Sequence, residues 1–81
     1  MKVRVQFFAQ LRDLAGGSEL QVELSESSTI ADLLEKIYEL KPQLRAHDAT
    51  TLVGVGVEFV DRGYQVKSGD AIAIMPPVQG G

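Results

Sequence analysis

Cysteine is absent from this chain of 81 residues, and its absence excludes several kinds of chemistry at once. A chain without cysteine has no disulfide framework, no thiolate zinc site and no thiol nucleophile. His47 is the single histidine. A lone histidine lacks the neighbouring groups that acid–base catalysis needs, so we expect a solvated surface residue. No spacing of candidate ligands is typical of a metal site, and we predict none. These gaps argue against a free-standing enzyme.

Long apolar runs and clustered positive charges are also missing. No stretch is apolar enough to span a bilayer, and the first residues alternate polar and apolar side chains, unlike a signal peptide. We therefore expect a cytoplasmic protein that does not bind membranes. The net charge is −3, and the 8 lysines and arginines are spread along the chain. This distribution argues against nucleic acid as a partner.

The remaining composition is that of one small globular domain. Hydrophobic residues make up 44% of the chain and charged residues 23%. Alternation of apolar and polar residues predicts five strands, at residues 3–7, 20–24, 52–55, 58–60 and 71–75. Residues 9–15 have room for a turn or two of helix, which Gly16 and Gly17 then end.

One longer helix is predicted from residue 30 to residue 40. Its apolar positions follow helical spacing along one face: Ile30, Leu33, Leu34, Ile37 and Leu40. Thr29 is a suitable N-cap, and Asp32 stands three residues later in a capping-box position. Pro42 ends the helix, because residues before proline avoid helical geometry. We expect residues 42–51 to form a loop.

The order of elements is strand, strand, helix, strand, short strand, strand. One amphipathic helix must cover one face of a sheet to bury its apolar side. We expect the first and last strands to be neighbours at the sheet centre. The prediction is an α+β protein with the β-grasp (ubiquitin-like) roll, a mixed sheet covered by one main helix. Residues 1–75 would form this domain, and residues 76–81 an extended C-terminal Gly-Gly tail.

The tail has a composition suited to insertion into a narrow channel. Pro76 and Pro77 fix their φ angles and lack a backbone N–H, so they would end the last strand and extend the chain. Val78 is an apolar anchor on this arm. Gly80 and Gly81 have no Cβ and pass where other residues cannot. A frayed terminus is the alternative interpretation, since disorder concentrates at chain ends.

The group of interest on such a tail is the α-carboxylate of Gly81. A carboxylate is a poor acyl donor at neutral pH because its charge repels nucleophiles. It becomes reactive after activation, for example as an acyl-adenylate made from ATP. This chain has no residues for that step, so a separate enzyme would perform it. Sulfide would then give a thiocarboxylate, and an amine would give an amide.

Four segments resemble one known family over almost the whole chain. They are residues 7–16, 29–34, 68–73 and 75–81, of which the last ends in Pro-Pro-Val-Gln-Gly-Gly. The chain resembles the small, sulfur-carrying subunits of molybdopterin synthase, which are ubiquitin-like. One departure is Gly56-Val57, where that family often has an Asn-Gly turn. We expect a different turn in the same hairpin.

The resemblance implies a set of roles. An activating enzyme of the ubiquitin-activating type would consume ATP to adenylate Gly81, and sulfur transfer would give the thiocarboxylate. The tail would enter the large catalytic subunit, in a heterotetramer of two small and two large subunits, and donate sulfur to a cyclic pyranopterin precursor. No cofactor would be bound permanently. Gly80 would allow passage, and the residues implied in guiding and docking the tail are Gln79, Val78, Pro77, Pro76, Met75 and Phe8. Phe59 is a further docking candidate for which we favour core packing.

Three alternatives remain open at this point. A carrier that supplies sulfur to another product, such as the thiazole of thiamin, would use the same Gly-Gly end. A ubiquitin-like modifier would be joined through Gly81 to lysines of other proteins. A plain interaction module would not need Gly81 at all.

Overall fold

The computed structural model describes residues 1–77, and within them five strands form a single sheet. The strands are β1 (Lys2–Phe7), β2 (Glu19–Glu23), β3 (Leu52–Val55), β4 (Glu58–Val60) and β5 (Ala71–Met75). The helices are α1 (Ala9–Ala15), α2 (Ile30–Leu40) and a 3-10 helix (Pro42–Thr50). Val78, Gln79, Gly80 and Gly81 lie outside the described residues.

The strand order across the sheet is β2-β1-β5-β3-β4. β1 is antiparallel to β2 and parallel to β5, and β3 is antiparallel to both β4 and β5. The first and last strands are therefore neighbours at the centre, as predicted. This mixed sheet, with one main helix packed against it, confirms the predicted β-grasp fold. Gly56 enters the turn between β3 and β4 at a φ of 61°, a left-handed value that glycine adopts without strain.

The core lies between α2 and one face of the sheet. The side chains that fill it are apolar and almost fully buried, among them Val3, Val5, Val22, Ile30, Leu33, Leu34, Ile37 and Ile72. The predicted capping box at the start of α2 is confirmed. Asp32 N–H donates to Thr29 Oγ1 at 3.3 Å, and Thr29 N–H donates to Asp32 Oδ2 at 2.9 Å. These bonds satisfy two donors that a helix N-terminus otherwise leaves open.

The prediction of a loop at residues 42–51 was wrong for most of that stretch. Pro42 begins the 3-10 helix, in which only Leu44 is buried. Proline is tolerated in a first helical turn, because its missing N–H would have no partner there. A single buried residue gives no apolar periodicity, so the sequence pattern carried no helical signal.

Asp48 ties this 3-10 helix to two other parts of the fold. Tyr38 Oη donates to Asp48 Oδ1 at 2.6 Å, and Arg62 Nη1 donates to the same oxygen at 2.7 Å. Arg62 Nη2 donates to the Asp48 carbonyl at 2.6 Å. The hydrogen bond from Tyr38, followed by the one from Arg62, lowers the pKa of the Asp48 carboxyl. Burial, followed by the hydrogen bond to Asp48, raises the pKa of the Tyr38 hydroxyl.

Candidate docking face and root of the tail

The sheet face opposite α2 carries an apolar area on β3, β4 and β5. Side chains alternate between the two faces along a strand. Val53 and Ile74 are buried in the core, so their neighbours point the other way. We call this side the open face, and its apolar residues are Phe8, Leu52, Gly54, Phe59, Ala71, Ala73 and Met75.

One row of the open face lies at the end of the sheet from which the tail departs. Met75 is the register partner of Leu52 on β3. Phe8 N–H donates to the Ile74 carbonyl at 3.1 Å. This hydrogen bond extends the pairing of β1 with β5 by one residue beyond the pair of Phe7 and Ile74. Phe8 therefore lies beside Met75, with 44% of its surface exposed. This row therefore presents the apolar side chains of Leu52, Met75 and Phe8 next to Pro76.

The next row contains two residues with little or no side chain. Gly54 is the register partner of Ala73 on one side and of Phe59 on the other. Because Gly54 and Ala73 fill so little space, a shallow cleft of about 110 Å³ opens between the flanking side chains. We call it the Gly54 cleft, and its lining residues are Gly54, Gly56, Val57, Glu58, Phe59, Ala73 and Met75.

Phe59 does not pack in the core, and that expectation was wrong. Its exposed fraction is 65%. Phe59 and Val60 are adjacent apolar residues on a strand, so only one of them can face the core. The register places Val60 opposite buried Val53, and Val60 packs against the core. Phe59 therefore points to the open face, where an exposed aromatic side chain suits a partner interface.

The root of the tail runs beside the start of α1. β5 ends at Met75, and Pro76 and Pro77 follow outside any helix or strand. These prolines and the first two residues of α1, Ala9 and Gln10, line a second cleft of about 210 Å³. Ala9 has a φ of 53°, which is uncommon for a residue with a Cβ. This bend turns the chain from β1 into α1 close to the departing tail.

The β1 and β2 part of the open face is polar. Arg4 lies opposite Gln21, and Gln6 lies opposite Glu19. Lys2 and Arg4 line a third cleft of about 290 Å³ together with Asp70. The apolar area is therefore bordered on one side by charged and amide groups, as is common around the core of a protein interface.

Groups suited to catalysis do not converge on these clefts. Within residues 1–77, no three His, Asp or Glu side chains are placed to hold a metal ion. His47 is partly exposed on the 3-10 helix and lines none of the three clefts. Its carbonyl accepts hydrogen bonds from the hydroxyls of Thr50 and Thr51.

None of the helices in the described part of the chain is both long and apolar enough to cross a membrane. The arrangement suits binding of a partner.

The structure brings some of the predicted site residues together. Phe8, Met75, Pro76 and Pro77 lie at one end of the open face, whereas the last four residues of the tail lie outside the described residues. The contributions of Leu52, Gly54 and Ala73 are not predicted from the sequence. The one sequence signal is Gly54, since a glycine inside an apolar strand often marks a bulge, a bend or a close approach by a ligand or another backbone.

The sequence matches the ThiS family over residues 5–81. The molybdopterin synthase sulfur carrier subunit of Chlamydomonas reinhardtii is 34% identical, and the alignment covers all of both chains. The subunit of the same name from Dictyostelium discoideum is 31% identical, with 96% of this chain and 94% of the relative covered.

Solved structures show the same fold. SAMP1 from Haloferax volcanii superposes with a TM-score of 0.88 at 26% identity, with all of both chains covered. The putative molybdopterin converting factor subunit 1 from Pyrococcus furiosus has a TM-score of 0.87 at 31% identity, with 96% of this chain and 99% of that chain covered. A chain from the complex of subunits 1 and 2 of the Helicobacter pylori molybdopterin-converting factor shares the fold, with a TM-score of 0.72 at 23% identity over all of both chains. The chain therefore belongs to the ThiS family, in the group of ubiquitin-like molybdopterin synthase sulfur carrier subunits.

Proposed function

We propose that this chain is the sulfur-carrying small subunit of a molybdopterin synthase. The observation that carries the proposal is the family match from residue 5 to residue 81, which includes the Gly-Gly tail. Relatives of that name align over the whole chain or nearly so. The apolar open face beside the tail root supports a role as one subunit of a larger enzyme.

The reacting group in this proposal is the α-carboxylate of Gly81. A carboxylate oxygen attacks the α-phosphorus of ATP in an activating enzyme, which gives an acyl-adenylate and releases pyrophosphate. Hydrosulfide then attacks the acyl carbon, the bond to AMP breaks, and a proton is released. The product is a thiocarboxylate at Gly81. ATP is thus a substrate of the activating enzyme, and the proposal includes no cofactor held permanently by this chain.

The folded body presents this tail to the large catalytic subunit. Phe8, Met75 and Phe59 provide apolar docking surface, and Pro76 and Pro77 stiffen the arm as it leaves β5. Exposed aromatic side chains of this kind are frequent anchors in protein interfaces. In this arrangement the large subunit supplies the catalytic groups, and the small subunit supplies sulfur.

The acceptor in this proposal is a cyclic pyranopterin precursor, which becomes a dithiolene. A dithiolene holds two sulfur atoms, so two thiocarboxylates are consumed for each product. The assembly in this proposal is the heterotetramer of two small and two large subunits that the family resemblance implies. A cytoplasmic location belongs to the same proposal, since the activation step requires ATP.

Reconstitution tests the proposal directly. The chain carrying a Gly81 thiocarboxylate is mixed with the cognate large subunit and the pyranopterin precursor, and dithiolene formation is measured. We expect product with the thiocarboxylate form and none with the carboxylate form, which is the matched control. Equal product from the two forms would contradict the proposal.

Protein modification is the second candidate function, favoured by the likeness to SAMP1. That name denotes a small archaeal modifier protein in a related solved structure. A modifier would form an amide between Gly81 and a lysine of another protein. Conjugates of high molecular weight that vanish when Gly81 is deleted would favour this candidate, and copurification with the large subunit would favour the synthase.

A further inference from the structure

Gly54 occupies a strand interior where its backbone conformation does not require glycine. Its φ lies outside the left-handed region that disfavours side chains. A Cβ built on Gly54 would lie 3.4 Å from Met75 Cε and 3.5 Å from the Glu58 carbonyl oxygen, which are ordinary contact distances. Glycine inside a strand also weakens it relative to alanine, because glycine loses more backbone freedom on folding. Backbone geometry therefore does not explain the glycine, whose missing side chain leaves room on the open face for Met75 and for the cleft beside it.

The space above Gly54 has the size of one aliphatic side chain. The cleft measures about 110 Å³. Measured in the same way, one water molecule needs about 10–15 Å³, and an apolar cavity that holds benzene measures about 150 Å³. Exposed Phe59 and Val57 stand at its rim, and Glu58 is the one charged residue in its lining. Such a cleft favours an aliphatic side chain over a polar group or a large aromatic ring.

The position of the cleft identifies which molecule would supply that side chain. Met75 lines the cleft and is the last residue of β5, directly before Pro76. A protein that takes up the tail close to where it leaves β5 would lie against this end of the open face. Resting on the function proposed above, we infer that the Gly54 cleft receives one aliphatic side chain of the large catalytic subunit. This side chain is the central anchor of the interface, since fully desolvated pockets near an interface centre carry most of its affinity.

A matched pair of alanine-to-leucine substitutions tests the inference. Ala73→Leu places a bulky side chain in the cleft, whereas Ala46→Leu makes the same change at an exposed position of the 3-10 helix, outside the open face and the cleft lining. Affinity for the cognate large subunit is measured by calorimetry, and folding is checked by circular dichroism. We expect Ala73→Leu to weaken binding by about tenfold or more, as loss of an anchor does, and Ala46→Leu by less than about threefold.

Gly54→Val is the second variant and fills the cleft from β3, with a residue that suits a strand. It tests the inference even where Ala73→Leu does not fold. Wild-type affinity in a folded Ala73→Leu or Gly54→Val protein would overturn the inference while leaving the proposed function intact. Failure of the wild-type chain to bind the large subunit would overturn both. If the free chain is a dimer that Ala73→Leu dissociates, the occupant is a second copy of this chain, and the inference is wrong.

Discussion

Gly54 and Ala73 face each other across β3 and β5, and both lie on the sheet face opposite α2. Phe59 is the next residue in this row, on β4. Two small residues beside one exposed aromatic ring make a depression with a raised apolar rim. Because Met75 borders the depression and β5 leads directly into Pro76 and Pro77, the depression lies near the root of the tail.

Phe59→Ala is expected to weaken binding to the large subunit by more than about 1 kcal/mol, the usual loss at an aromatic anchor. Since 65% of the Phe59 surface is exposed, the free energy of unfolding should change by less than about 0.5 kcal/mol. Calorimetric binding and urea unfolding measure the two effects. Leu40→Ala is the control, because Leu40 is also exposed but lies at the end of α2. Equal losses of affinity in the two variants would show that Phe59 is not an anchor.

Adding one residue after Gly81 is expected to abolish sulfur transfer and leave the fold unchanged. The added residue converts the Gly81 carboxylate into an amide, and any residue other than glycine brings a Cβ that a narrow tail channel in the partner would exclude. Thiocarboxylate formation is followed by mass spectrometry, and folding by circular dichroism. A version with a protease site after Gly81 is the control, and cleavage should restore activity. Sulfur transfer by the extended, uncleaved chain would contradict the role given to the chain end.

Tyr38→Phe is expected to lower the free energy of unfolding by about 0.5–1.5 kcal/mol, since one hydrogen bond to a partly exposed carboxylate is lost. The bond from Tyr38 Oη to Asp48 Oδ1 is 2.6 Å long. Urea unfolding measures the change. In the double variant with Asp48→Ala, the total loss should be smaller than the sum of the two single losses, because each substitution removes the bond between Tyr38 and Asp48. Additive losses would show that the bond contributes nothing measurable.

The hydrogen bond from Tyr38 to Asp48 also predicts how the free energy of unfolding depends on pH. The hydrogen bonds from Tyr38 and Arg62 lower the pKa of Asp48 in the folded state, below the ~3.9 typical of an unfolded chain. A lowered pKa contributes stability above pH ~4, and this contribution is lost as the pH falls through the folded-state pKa. The stability difference between wild type and Tyr38→Phe should therefore be constant near neutral pH and shrink below pH ~4. If the stability difference between wild type and Tyr38→Phe grew as the pH fell below ~4, the lowered pKa of Asp48 would not be its cause.

Thr29→Ala is expected to destabilise the fold by about 1 kcal/mol, the usual cost of losing a helix N-cap. Its hydroxyl oxygen accepts from Asp32 N–H, and that donor would lose its partner. Thermal unfolding measures the effect. Thr29→Ser keeps the hydroxyl and should retain most of the stability. If Thr29→Ser is as unstable as Thr29→Ala, the hydroxyl is not the stabilising group.

The sequence was sufficient to predict the fold because local and global signals agree in it. The capping residues Thr29 and Asp32 mark where α2 begins, and its apolar spacing marks the buried face. The strongly apolar character of β1 and β5 indicates that they are the central strands. The 3-10 helix was not predicted, because Leu44 is its only buried residue and the segment therefore has no apolar periodicity.

The docking face could be predicted only in part. Phe8 and Met75 were recognised from the family resemblance, but the depression between β3, β4 and β5 depends on how the strands align. Alternation shows that Phe59 and Val60 point in opposite directions, yet not which one faces the core. The register of β4 against β3 decides this, and a strand as short as Glu58–Val60 leaves that register open from sequence alone.

The intact mass of the protein, after incubation with ATP, the cognate activating enzyme and a sulfide donor, tests the central claim most directly. We predict a mass gain corresponding to one oxygen replaced by sulfur, located at Gly81 by fragmentation. An unchanged mass, with an activating enzyme that works on another carrier in the same assay, would contradict the claim that this chain carries sulfur.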